Sequence, residues 1–97
     1  MAQLANIVLL RARPGRIDDL EAALRTLLAA THQEAGCAGG ELHRSAEDEA
    51  LFMVYERWTD QAGFDAHMAE PHVAQFLAAA DDLLAEPAEV RAFETLT

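Results

Sequence analysis

Residues 50–58, ALFMVYERW, are apolar on both sides of an extended chain. Alternate residues of a strand point to opposite faces of its sheet. One face of this segment therefore carries Phe52, Val54, Glu56 and Trp58, and the other Leu51, Met53, Tyr55 and Arg57. Residues 4–12, LANIVLLRA, behave alike, with Leu4, Asn6, Val8 and Leu10 set against Ile7 and Leu9. A sheet with one wet face alternates cleanly between apolar and polar residues. These strands do not, so both faces are expected to be covered. The chain has 97 residues, enough for one domain, and a domain this small buries only about 60–70% of its unfolded surface. Its own helices can cover one face. A second copy is expected on the other, and a closed two-fold homodimer is the commonest such arrangement.

The remaining segments supply those helices. Pro14-Gly15 stops the first strand. From about Arg16 to Ala35, Ile17, Leu20, Leu24, Leu27, Leu28 and Thr31 recur at the three- and four-residue steps of one buried helix face. Asp18, Asp19 and Glu21 sit in its first turn, where the helix dipole favours acids, and Gly36 closes it. Residues 40–46, GELHRSA, form a short second strand, and Glu47-Asp48-Glu49 a turn before the third. Thr59 or Asp60 caps a short helix to about Ala69. Pro71 opens another helix, where its missing N–H does no harm. Its stripe is Val73, Phe76, Leu77, Ala80, Leu83 and Leu84, and Glu86-Pro87 ends it. Residues 89–96, EVRAFETL, make the last strand. The order β-α-β-β-α-β predicts an α+β, ferredoxin-like antiparallel sheet with helices on one face, a single domain over residues 1–97. Two such sheets face to face make a barrel-like interior, with room for a small apolar ligand between sheet and helices.

All seven positive charges are Arg, there is no Lys, and 17 acids give a net charge of −10. That opposes nucleic acid and anionic membranes as partners and excludes a lysine Schiff base. No run approaches the roughly 18 apolar residues of a membrane span. The N-terminal MAQLANIVLLRARPG lacks the basic start and cleavage-like end of a secretory signal, so a cytoplasmic location is expected. The lone Cys37 forms no internal disulfide and reads as a small buried apolar group, not a catalytic thiolate. No phosphate loop, dinucleotide fingerprint or nucleophile elbow is present.

Residues 55–76, YERWTDQAGFDAHMAEPHVAQF, hold the only Trp and the only Tyr of the chain with two of its histidines. His67 and His72 are five apart, which turns a continuous helix by about 500°, roughly 140° away from a shared face. Pro71 interrupts the helix between them, and the metal-binding HExxH pattern needs a spacing of four. No further clustered ligand is apparent, so no metal site is expected and the histidines are read as acting separately. Each either satisfies a buried backbone group or serves as a general base near neutral pH. His67, three residues after Phe64, faces inward with it. His43 reads as a surface residue, and His32 as a partner of the long helix's C-terminus. Trp58 reads as core. Glu56 shares its strand face and needs a partner, for which Arg44 or Arg91 across the sheet are candidates. Asn6 lies mid-strand, an unusual place for an amide. Either it pairs with backbone or it points a polar group into an apolar pocket.

PG at 14–15, EAGC at 34–37, ELHRS at 41–45, YERW at 55–58, AHM at 66–68 and EPHVAQF at 70–76 follow one another. In this order and spacing the chain resembles the antibiotic biosynthesis monooxygenase domain, from Pro14 to about Leu96. The segment from Trp58 to Pro71-His72 is most similar to quinol monooxygenases and to proteins of the autoinducer-2 isomerase type. The resemblance implies a dimeric ferredoxin-like α/β barrel that oxidises a small quinol- or anthrone-like aromatic with O₂, without metal, flavin or other cofactor. Such a phenol, once deprotonated, can itself give an electron to O₂. The protein need only hold it dry, take a proton and stabilise the anion. A phenol titrates near pH 10, as Tyr does, so a base and a donor must help. On this resemblance the catalytic candidates are His67 or His72 as base, with Asn6, Arg44 and Tyr55 as hydrogen-bonding groups. Trp58, Phe64, Phe76 and Val8 would wall the pocket. Many relatives carry a bulky aromatic where this chain has Gly40, and its loss is expected to enlarge or reshape the cavity. Two other readings are an isomerase of a small phosphorylated ketone, anchored by Arg44, and a non-catalytic ligand-binding dimer. A haem-degrading branch is similar at Asn6 and Trp58 but not in the spacing of its helical histidine.

Overall fold

In a computed structural model describing residues 3–97, the chain forms β1 (Leu4–Arg11), α1 (Ile17–Thr31), β2 (Cys37–Arg44), β3 (Leu51–Trp58), α2 (Gln61–Met68), α3 (Pro71–Leu83) and β4 (Glu89–Glu94). Met1 and Ala2, which open the stretch read for a leader, lie outside the described residues. The four strands make one antiparallel sheet in the order β2-β3-β1-β4. This is the α+β, ferredoxin-like arrangement that the element order predicts. None of the described helices is long and apolar enough to cross a membrane.

Register decides which side chains meet. Val8 lies opposite Val54 on one side and Val90 on the other, and Asn6 lies opposite Glu56 and Ala92. Asn6, Val8, Leu10, Phe52, Val54, Glu56 and Trp58 therefore share one face. Along β3 its members are buried and the intervening residues half-buried. Leu10, Phe52 and Val54 pack there against Leu20 and Leu24 of α1 and Leu83 of α3. The opposite face carries Ile7, Leu9, Met53 and Tyr55 from the central strands, with Phe93 of β4 beside them and 49% exposed. Their neighbours within the sheet half-bury the central four.

The long helix is shorter than its periodicity suggests. It stops at Thr31, not Ala35. Thr31 is buried and its hydroxyl donates back to the Leu27 carbonyl at 2.8 Å. The next residues form tight turns, with the Glu34 N–H donating to Thr31 O and the Cys37 N–H to Glu34 O. The chain leaves the helix early because Gly36 must cross Gly63 of α2. A Cβ on Gly36 would lie 2.5 Å from the Gly63 Cα. β2 accordingly begins at Cys37, ahead of the expected Gly40. Asp60 caps α2, accepting from the Gly63 N–H at 2.9 Å. Ala69 and Glu70 then separate α2 from α3, which Pro71 opens. β4 ends at Glu94, two residues before the expected end, and all six of its residues are exposed.

Candidate functional site

A cavity of about 170 Å³ lies between the covered sheet face and the three helices. Val8, Leu24, Val54, Phe64 and Phe76 form much of its wall, and Asn6, Glu56 and His67 are polar groups on it. Met68, Leu77 and Val90 also line it and are 51, 59 and 58% exposed, so the cavity reaches the surface between α2, α3 and β4.

Asn6 sits where a strand ordinarily places an aliphatic residue. It is 1% exposed, and neither its amide nitrogen nor its amide oxygen has a hydrogen-bond partner among the described residues. Leaving a buried polar group unpaired costs about 1–3 kcal/mol. Of the two readings of this residue, the polar group in an apolar pocket is the one the structure supports.

Glu56 is buried beside it, and its nearest basic group is His67, with Nε2 at 4.0 Å from the carboxylate. Burial raises its carboxyl above the ordinary glutamate range, and the charge of His67 acts in the other direction. Neither expected arginine reaches it. Arg44 lies opposite Phe52, nearer the other end of β3, and pairs with Glu21. Arg91 lies opposite Ile7, on the uncovered face, and pairs with Glu89 at 3.0 Å.

The two histidines, expected to act separately, converge on one carboxylate. His67 Nδ1 and His72 Nε2 lie 2.8 and 2.6 Å from the same oxygen of Glu34. The reading of their spacing fails because α2 and α3 are not one helix. The break at Ala69–Glu70 redirects the chain and brings the two rings to 6.0 Å between centroids. An ionised carboxylate only accepts hydrogen bonds, so both rings donate to Glu34. In the neutral ring, the His67 proton then sits on Nδ1, and Nε2 is the acceptor near Glu56 and the cavity. His72 Nδ1 points toward Glu70, 4.0 Å away. Glu34 escaped the sequence reading because it works through the turn between α1 and β2, which places it far along the chain from both partners. Its one trace there is the EAGC motif.

The other candidates divide. Trp58 is fully buried behind the wall, with its ring centroid 4.6 Å from that of His67 and edge-on to Phe64 at 6.0 Å. It supports His67. Tyr55 does not reach the cavity, because strand alternation puts it on the opposite face, under Arg57. Arg44 borders a separate shallow cleft with Glu21 and His43. Gly40 is not among the residues that line the cavity. It lies opposite Glu56, and a Cβ there would meet the Tyr55 carbonyl at 2.7 Å. His43 is exposed, as expected, while the ring of His32 reaches the Gly40 carbonyl at 2.9 Å, not the helix end. Burial raises the Cys37 thiol above its ordinary range, which disfavours the thiolate.

The family model described as Antibiotic biosynthesis monooxygenase matches residues 4–79. Among solved structures, PA3566 from Pseudomonas aeruginosa is similar at 31% identity and a TM-score of 0.93, covering 100% of this chain and 97% of that one. Rv0793 from Mycobacterium tuberculosis gives a TM-score of 0.92 at 27% identity, covering 98% of this chain and 96% of that one. Its sequence, named "Putative monooxygenase Rv0793", is 30% identical over 87 residues, 90% of this chain and 85% of that protein. The protein sll1783 from Synechocystis is 25% identical over 85 residues, and the chain spans 58% of its length. The family match runs from β1 into α3 and takes in Asn6, Glu34, Glu56, His67 and His72. The chain belongs to the antibiotic biosynthesis monooxygenase family.

Proposed function

We propose that the chain is a small homodimeric monooxygenase that oxidises a quinol-type aromatic with O₂, the substrate itself supplying the electrons. The observation that carries this reading is the unpaired amide of Asn6 in an apolar cavity that His67 also lines. A cavity of about 150 Å³ with apolar walls accommodates benzene. About 170 Å³ suits one aromatic ring, with substituents toward the mouth at Met68 and Leu77. A three-ring anthrone must extend through that mouth, and a haem macrocycle is far too large. The monooxygenase name of Rv0793 and of the family supports the reaction class. The apolar row Ile7, Leu9, Met53 and Tyr55 supports the homodimer. The isomerase reading loses its support, because its phosphate anchor, Arg44, lies outside the cavity and is paired with Glu21.

In this reading the phenolic O–H meets Nε2 of His67, whose ring is held by the Nδ1–H bond to Glu34. The proton passes to Nε2, and the imidazolium rests between Glu34 and Glu56. The Asn6 N–H donates to the phenolate oxygen, as an oxyanion donor does. The phenolate gives an electron to O₂, and the pair recombines at a ring carbon to form a C–O bond. Cleavage of the O–O bond leaves a carbonyl on the ring and releases the other oxygen as water. One hydroquinone and one O₂ thus become one hydroxyquinone and one water.

Oxygen uptake with a panel of single-ring hydroquinones, corrected for autoxidation, tests this. The protein is expected to accelerate at least one of them, and His67→Ala to lower that rate roughly 10²–10⁴-fold, the usual range for a general base. An unchanged rate in His67→Ala removes the proposed base. Tight binding of a quinol with no uptake points to the non-catalytic dimer.

A further inference from the structure

Glu34, His67 and His72 place three ligand-type atoms within 4.8 Å of one another. Two imidazoles and one carboxylate are a donor set for late first-row divalent ions. The surroundings point the same way. Glu34, Glu56 and Glu70 flank the two rings, and among the described residues no arginine pairs with any of the three. Behind each ring stands a carboxylate: Glu56 is 4.0 Å from His67 Nε2, and Glu70 is 4.0 Å from His72 Nδ1. Both distances are longer than a hydrogen bond, and closing them would give each ring the acceptor that metal-binding histidines characteristically have at the nitrogen that does not bind. The set is also sheltered, with side chains 7% exposed at His67, 10% at Glu34 and 20% at His72.

We infer that Glu34, His67 Nδ1 and His72 Nε2 form a site for a divalent cation of the Zn²⁺ class, and that filling it disables His67 as a base. Bonds of about 2.0–2.1 Å in tetrahedral geometry set donor atoms roughly 3.3 Å apart. The present separations of 2.8 and 2.6 Å to Glu34 open by about 0.5 and 0.7 Å to reach that. The cation takes the place of the two shared N–H protons. Each neutral imidazole moves its proton to its other nitrogen, His67 toward Glu56 and His72 toward Glu70, and no electron changes hands. With Nε2 carrying a proton, His67 can donate toward the cavity but not accept. Binding stands independently of the function proposed above; only the loss of turnover rests on it.

Calorimetric titration of the full chain, freed of metal, with ZnCl₂ tests the site. One Zn²⁺ per chain is expected, with Mg²⁺ at least a hundredfold weaker, His72→Ala and Glu34→Gln at least tenfold weaker, and His43→Ala unchanged. Equal Zn²⁺ affinity in His43→Ala and His72→Ala overturns the site, as does the absence of saturable binding. Should the Glu34 or His72 variants not fold, Co²⁺ on the unaltered chain decides: paramagnetically shifted imidazole proton resonances are expected, and their absence overturns the assignment. Oxygen uptake with and without Zn²⁺ reads the second half. Inhibition that His72→Ala relieves supports it, and full turnover with Zn²⁺ bound refutes the block while leaving the site standing.

Discussion

Asn6 occupies a position where leucine would be the more stable choice. Its amide is buried and unpaired, so Asn6→Leu is expected to raise stability by about 1–2 kcal/mol in urea denaturation. The same variant is expected to lower quinol oxidation at least tenfold, because the phenolate loses its donor. Glu56 bears the opposite kind of strain. Burial raises its carboxyl in the folded chain, so the folded state holds this proton more tightly than the unfolded state. The stability it contributes is full below the ordinary glutamate range and is lost as pH rises through the folded value. Glu56→Gln is therefore expected to exceed the parent by about 1 kcal/mol near neutral pH, with the gap closing toward pH of about 4. Denaturant melts across that range measure it. The family resemblance gathered Asn6, Val8, Phe64, His67 and Phe76 at one pocket, and all five line the cavity. Tyr55 was drawn in by resemblance against its own strand parity. Glu34 was invisible to pattern because its partners lie across a turn whose path depends on two glycines.

Those glycines act at the level of elements. Gly36 and Gly63 let the turn after α1 pass against α2 at backbone contact. Gly36→Ala is expected to cost roughly 1–3 kcal/mol, since overpacking by a methyl must push backbone and not a side chain. It should also loosen Glu34, two residues away, so oxidation should fall more than the lost stability explains; thermal melts and oxygen uptake on one preparation separate the two. Each strand and helix was legible in its type, and the break at Pro71 was legible too. The ends were not. Periodicity ran on past Thr31 through residues 32–35, while the glycine crossing ended the helix there. The consequence of the Pro71 break was read backwards: it was taken to part the histidines, and it joins them.

At the scale of the molecule, the uncovered sheet face is where the proposed homodimer would form. Ile7, Leu9, Met53 and Tyr55 form an apolar row on that face, with Phe93, Arg57, Arg91 and Glu89 around it. Light scattering is expected to find a dimer, and Leu9→Glu, a charge at the centre of that surface, a monomer. A dimer in Leu9→Glu would place the contact elsewhere. Each copy carries a net charge of −10, so the proposed pairing would double the charge in one body across a mainly apolar contact. Ions in the buffer then act as mediators, damping long-range repulsion and leaving the dry seam untouched. Association should tighten as sodium chloride is added, the reverse of subunits clasped by oppositely charged side chains.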